Sequence, residues 1–324
     1  MKALVYDGPK LLSYRDVQDP ILSQGNVIIK IEAVGICGSD MHAYLGHDER
    51  RPAPLILGHE AAGVICGGDR DGERVTINPL VSCGSCSACM TGRENICLDR
   101  QIISIPPREG AFAQYVTMPE RNLVNVPTDY SLDKAALVEP LAVGWHTAKL
   151  ATNAINANMK KKALVIGGGA IGLATALALR AMGITELTIL EFNPLRREYL
   201  PKHIDAEVLE NTENSFPLVI DAVGFASTRS VASQLVSPGG IIAHVGLGDN
   251  ADGLDIRRIT LQEITFIGTY AYTVQDFKDT AEALFTGRLG LLDWIEKRPL
   301  SEGEYCFRDL LKNTVASPKI VLKP

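Results

Sequence analysis

The chain has 324 residues and a mass of 35.0 kDa, room for two domains with full cores, which excludes a peptide hormone or a small disulfide scaffold. Its 32 Lys and Arg against 38 Asp and Glu give a net charge of -6 and a pI near 5.6, so there is no basic field to grip a nucleic acid. A hydrophobic share of 46% beside 22% charged residues is the usage of an ordinary soluble globular protein, not of a disordered or membrane-embedded one.

From the N-terminus, MKALVYDGPK has no secretory hydrophobic region ahead of Asp7 and Gly8, and a cytoplasmic, reducing setting is expected. Cys37 follows in VGICGSDMH, His59 and Glu60 in GHEAAG, and Glu139 in ALVEPLAVG. Cysteine, histidine and carboxylate form a zinc ligand set that leaves one position for water or substrate. Taken singly, Cys37 is more often a buried small hydrophobe and His59 a satisfied core histidine, and the case rests on the motifs in combination.

Cys83, Cys86, Cys89 and Cys97 fall within fifteen residues as C-x2-C-x2-C-x7-C. Two-residue spacers aim successive thiolates at one point, as a closed tetrahedral zinc site requires, and a reducing setting argues against disulfides. Four protein ligands leave no open position, so this lobe is expected to be structural. Cys66 and Cys306 have no such companions and read as ordinary thiols.

Lys160 to Glu191 reads as strand, glycine turn, helix and strand: KKALVIGG, then AIGLATALALRAMG with a stop at Gly183, then ELTILE. The stretch from Ala163 to Leu179 has no charge over 17 residues, but it is short of a membrane span and contains Gly167, Gly168, Gly169 and Gly172. Gly167, Gly169 and Gly172 form G-x-G-x-x-G, which lets a backbone turn tightly against a pyrophosphate at a helix N-terminus. Glu191, nineteen residues past Gly172, can accept both adenosine ribose hydroxyls and repels a 2′-phosphate, favouring NAD over NADP. Arg196 and Arg197 follow closely and would soften that preference, or else read as a solvated basic pair on the next helix.

Further strands are expected at AEVLEN, PLVIDAVG, GGIIAHVGLG and EITFIGTY, with ASTRSVASQLVS a helix, giving a doubly wound parallel sheet. About six residues separate AEVLEN from PLVIDAVG, where a parallel crossover takes a dozen or more, so the nucleotide domain is expected to be trimmed there. In the tail, VQDFKDTAEALFTG and GEYCFRDLLKN read as helices and KIVLKP as a last strand closing the first domain.

In order, GICGSD, GHEAAG, the cysteine lobe, EPLAVG and GGGAIGL resemble the zinc-dependent medium-chain alcohol dehydrogenases over essentially the whole chain. Nearest is the polyol branch of sorbitol and galactitol-phosphate dehydrogenases, because Glu139 stands where alcohol dehydrogenases outside that branch use cysteine. The resemblance implies an α/β fold with two parts. One is a GroES-like, mainly β catalytic domain (1–140 and 276–324) with its zinc lobe near 83–97; the other is a doubly wound Rossmann domain (141–275) for NAD. It implies two zinc ions per chain, one structural and one catalytic on Cys37 and His59 with Glu60 or Glu139 as carboxylate partner.

Asp40 would orient the metal-bound imidazole, or else serve as a helix-start carboxylate. Ser39 would contact the alcohol oxygen, and the proton would leave through the cofactor ribose to His42, whose ordinary pKa of about 6.5 suits the task; a solvent route would leave His42 a surface histidine. The implied reaction passes a hydride between NAD and a secondary alcohol of a polyol, sugar or sugar derivative, giving a ketone. A homodimer or homotetramer is implied, with EITFIGTY either pairing across the dimer or buried. The sequence departs from the family pattern in the compressed VICGGDRDGERV segment, where Asp69 replaces a small residue, and in the short middle of the nucleotide domain.

For the substrate, Tyr44, Arg50, Arg51, Tyr270 and Tyr272 are candidates to line the pocket, each with a structural alternative. Arginines facing the pocket would suit a phosphorylated or carboxylated sugar; arginines turned away would suit a neutral polyol. The rival readings are a threonine-type 3-hydroxy amino acid dehydrogenase and a non-catalytic NAD-binding sensor, which would not need Cys37, Ser39, His59 and Glu139 together.

Overall fold

The computed structural model describes residues 1–156, 159 and 161–324, so Lys160, at the head of the expected nucleotide unit, lies outside them. The chain divides into two units: Met1–Glu139 with Thr273–Gly287 and Trp294–Pro324, and Pro140–Tyr272 with Arg288–Asp293.

The first unit is mainly β. Lys2–Gly8 pairs with Leu11–Asp16 and Leu55–Ile56, while a larger sheet runs Leu123–Asn125, Arg74–Ile77, Glu60–Cys66, Asn26–Gly35, Lys319–Lys323, Ile295–Pro299. Tyr115–Pro119 also pairs with Asn26–Gly35. The period of two is plain in that central strand, where Ile29, Ile31 and Ala33 are buried and Lys30 between them is exposed. Ile29, Ile31 and Val34 join Leu57, Ile65, Val75, Ile77, Phe112 and Phe307 in the core, each large side chain contributing about 1.5–3 kcal/mol by leaving water. The tail supplies the helices Val274–Phe285 and Gly303–Leu311 and the strand Lys319–Lys323, which lies between Asn26–Gly35 and the edge strand Ile295–Pro299.

Register decides what meets at the end of this sheet. Gly35 pairs with Glu60 on one side and with Val321 on the other. Carrying both ladders two residues onward sets Cys37 beside the Gly58–His59 turn and opposite Lys319. Gly35 itself must be glycine, since a Cβ there would lie 2.0 Å from Glu60 Oε2.

The second unit is a six-stranded parallel sheet in the order Glu207–Leu209, Glu186–Leu190, Lys162–Ile166, Phe216–Asp221, Val236–His244, Thr265–Gly268. Its central strands are buried along nearly their whole length, as a sheet covered on both faces requires. The order reverses between Lys162–Ile166 and Phe216–Asp221, which places a ligand crevice at the carboxyl ends of these two strands. The expected trimming is present: the third strand has three residues and a bare segment, 210–215, makes the crossover. Leu209 lies level with Asp221, so the chain must cross about 14 Å and return about 16 Å to Phe216, about 22 Å in all, which the seven steps from 209 to 216 span only when nearly fully extended.

Polar residues accompany the missing helix. Leu164, Val219 and Ile242 pack with Ala232 of the helix Ala226–Leu235. Thr188 shares their face and, toward the sheet edge, donates to Glu207 at 3.3 Å. Among the described residues no helix is long and apolar enough to cross a membrane, and Ala163–Leu179 divides into strand, glycine turn and helix.

Candidate functional site

In the first unit the structure gathers Cys37, His59 and Glu60, with their ligand atoms all within 4.8 Å of one another. Cys37 caps the helix Gly38–Tyr44, whose Asp40 reaches back to accept the Cys37 N–H at 3.0 Å. The other oxygen of Asp40 accepts the Gly58 N–H at 3.1 Å and faces His59 Nδ1 at 3.5 Å. Asp40 therefore combines its two expected roles, helix-start carboxylate and neighbour of the imidazole. Burial raises its carboxyl pKa, but the charges of His59 and Arg51 outweigh burial and hold it low.

His59 Nδ1 is buried and has no hydrogen-bond partner; 3.5 Å from Asp40 is at the limit of bonding. Burial lowers the imidazole pKa, yet the charges of Asp40 and Cys37 raise it well above its ordinary value, so a proton is drawn to this ring. A divalent metal would replace that proton and satisfy the same thiolate, which is the chemical fit expected of a soft N,S,O donor set.

Glu60 is fully buried, and both of its oxygens accept from the buried Lys319 ammonium, at 2.6 and 2.7 Å. Lys319 also donates to the Ile36 carbonyl at 2.9 Å. Burial alone would lower the Lys319 pKa; the negative charges of Glu60, Cys37 and Glu139 keep it raised. Glu139 is buried in the first turn of the helix Val138–Ala154, near enough to act on Lys319 but outside the Cys37–His59–Glu60 group. Ser39 lies half-buried on the first turn of Gly38–Tyr44 and His42 exposed one turn later.

The four lobe cysteines also converge, their sulfurs within 4.8 Å of one another. The pairs Cys83–Cys89 and Cys86–Cys89 stand 3.8 and 3.5 Å apart, close to the edge of about 3.8 Å in a tetrahedron of 2.3 Å zinc–sulfur bonds. Backbone N–H groups of Ser85 and Cys86 lower the Cys83 thiol to about 6, whereas burial raises Cys89 to about 11. A cation among them would stabilise the thiolate form of all four.

In the second unit Gly167 has φ +95°, and a Cβ on Gly172 would lie 1.8 Å from the Gly167 carbonyl oxygen, so both glycines are sterically required. Gly169 opens the helix Ala170–Ala181 and a Cβ there would meet nothing within 4 Å, which leaves free space before the helix N-terminus for an anion. Glu191 ends the next strand and folds toward this turn, accepting from Gly168 N–H at 2.9 Å and Asn193 N–H at 2.8 Å.

Arg196 and Arg197 are half-buried and bonded to Glu191 rather than freely solvated. Asn193 caps the helix Pro194–Tyr199, whose first turn folds back on Glu191, bringing Arg196 to 3.4 Å from its carboxylate while Arg197 donates to its carbonyl at 2.9 Å. Tyr44 is a core residue against Phe307, and Tyr272 is buried. Arg50 is exposed with its guanidinium forked onto Asp48, and Arg51 is buried and bonded internally. Sequence reasoning missed Lys319, Gly35 and Gly168; only the position of Lys319 in a tail strand hinted at proximity to the rest.

Two protein families match successive parts of the chain. The alcohol dehydrogenase GroES-like domain family matches residues 23–128 and the zinc-binding dehydrogenase family residues 170–286. The chain is 33% identical to a sorbitol dehydrogenase of Bacillus subtilis, over 84% of this chain and 82% of the relative. It is 30% identical to an L-idonate 5-dehydrogenase of Vitis vinifera, over 82% and 78%. A crystal structure of an Escherichia coli oxidoreductase/dehydrogenase of unknown specificity superposes with a TM-score of 0.90 at 28% identity, covering 99% of this chain and 98% of that one.

Proposed function

Because the chain belongs to the zinc-dependent medium-chain alcohol dehydrogenase family, in its polyol branch, it is an oxidoreductase of secondary alcohols, and we propose that its substrate is a neutral polyol oxidised with NAD. The observation that carries the metal half of this reading is the convergence of Cys37, His59 and Glu60, whose ligand atoms all lie within 4.8 Å of one another. When bound, zinc lowers the pKa of an alcohol oxygen and the nicotinamide takes up the hydride.

The residues of this chain do the rest. Cys37 and His59 would hold the metal, with Glu60 or Glu139 as the carboxylate; Asp40 fixes the imidazole ring. Ser39 would accept the proton of the alcohol hydroxyl as it releases its own toward His42, which is exposed and would pass it to solvent. Gly167, Gly169 and Gly172 admit the pyrophosphate and Glu191 the adenosine ribose. Cys83, Cys86, Cys89 and Cys97 would hold a second, structural zinc, for two per chain.

The substrate class rests on Arg50 and Arg51. Arg51 is buried and engaged with protein groups, and Arg50 is turned outward onto Asp48, so neither supports a phosphate or carboxylate. Among the described residues the strand Thr265–Gly268 pairs only with Val236–His244, and its exposed Phe266 supports pairing with a second copy into a homodimer, or a homotetramer built from it. The seven free thiols suit a cytoplasmic location.

Initial rates of NAD reduction against pooled neutral polyols, sugar phosphates, sugar acids and threonine test the proposal, each repeated with Cys37→Ala. Turnover confined to the polyol pool and lost in the variant is expected. Turnover of threonine alone would move the assignment to amino-alcohol oxidation, and NAD binding without turnover in any pool would leave a sensor.

A further inference from the structure

We propose that Arg51 is a positioning residue for this reaction, fixing the Cys37–Asp40 segment from behind so that the Ser39 hydroxyl and the Asp40 carboxylate are held in place. The proposal rests on the reading of Ser39 and His59 given above.

Arg51 has only 5% of its surface exposed and lies on the turn after the helix Gly38–Tyr44. A guanidinium is always charged, so burial is sustained only if its donors are matched. Here they join three pieces of chain. Nη1 donates to the Ser39 carbonyl at 3.1 Å and to Asp48 Oδ2 at 2.7 Å; Nε donates to the Ser104 carbonyl at 2.9 Å, and Nη2 approaches its hydroxyl at 3.4 Å.

Two details make this more than a surface clasp. Ser104 is fully buried at φ +69°, a left-handed conformation uncommon outside glycine, and both of its oxygens face Arg51. Asp48 is itself forked by Arg50, so the anchoring turn is fixed from a second side. The Ser39 carbonyl is therefore tied to a rigid frame, and the next residue, Asp40, bridges from that same turn to Gly58 and His59. A planar fork with donors in three directions does this; the single ammonium of lysine cannot.

The test uses the full-length, zinc-loaded protein and the variants Arg51→Lys and Arg51→Met, alone and with Ser39→Ala. Arg51→Lys should fold, and NADH binding and unfolding temperature check that it has. We expect kcat to fall by about tenfold with the Kd for NADH unchanged. In the Ser39→Ala background the same change should cost clearly less than in the wild-type background, because only the Asp40 part of the positioning is left. Equal losses in both backgrounds, or wild-type kcat in both variants, would overturn the proposal. Independent of turnover, cobalt(II) titrated into protein stripped of metal at Cys37 and His59 should bind about tenfold more weakly in Arg51→Met, with an altered visible spectrum; unchanged affinity and spectrum would also overturn it. A wild type that binds cobalt there but oxidises no alcohol would fail the functional reading while this arm still decides the role of Arg51.

Discussion

At Glu60 the motif Gly-His-Glu supplies an acid but not its partner. The partner is Lys319, 259 positions away in sequence, and both groups are almost wholly withdrawn from water. A buried pair of this kind adds little net stability over apolar residues, but removing one member leaves the other charged and alone. Lys319→Met should therefore destabilise the first unit by about 3–5 kcal/mol in urea unfolding, and adding Glu60→Gln should recover most of the loss. A Lys319→Met protein as stable as wild type would mean that Glu60 is held by something else. No local pattern announces such a pair: the sequence made Cys37, His59 and Glu60 recognisable by residue type and motif, whereas Lys319 became part of the site only through strand register. The same holds for Gly35, whose missing side chain is the space occupied by the Glu60 carboxylate.

Elements were more legible than partners. The strand, turn and helix beginning at Lys162 were readable because apolar β-branched residues, glycines and helix formers follow one another without conflict. The three-residue strand Glu207–Leu209 and its bare crossover followed from counting residues alone. The inward turn of Arg196 was not readable, because it depends on Asn193 capping a six-residue helix that points back at Glu191. Within the glycine turn the three positions act differently, and this can be measured. Gly172→Ala drives a Cβ into the Gly167 carbonyl, backbone against backbone, and should cost about 1–3 kcal/mol of stability together with NADH binding. Gly169→Ala meets no protein atom, so it should leave the melting temperature unchanged and weaken only NADH binding, as read by cofactor fluorescence. Equal loss of stability in both would contradict the assignment of Gly169 to the ligand side.

Over the whole molecule, two units carry complementary chemistry: a cysteine, histidine and glutamate group at the end of a mainly antiparallel sheet, and a glycine turn with an acid at the carboxyl ends of a parallel one. Polyol dehydrogenases such as that of Bacillus subtilis match across both units, which a sensor that kept only the nucleotide fold would not require. The central claim is that alcohol oxidation depends on the metal held by the first unit, while dinucleotide binding belongs to the second. The most direct measurement is NAD reduction by a neutral polyol before and after dialysis against a zinc chelator, with NADH affinity followed in parallel. The account predicts that turnover falls by at least about a hundredfold and returns when zinc is restored, with the Kd for NADH unchanged throughout. Turnover that persists once the protein is free of zinc would contradict it.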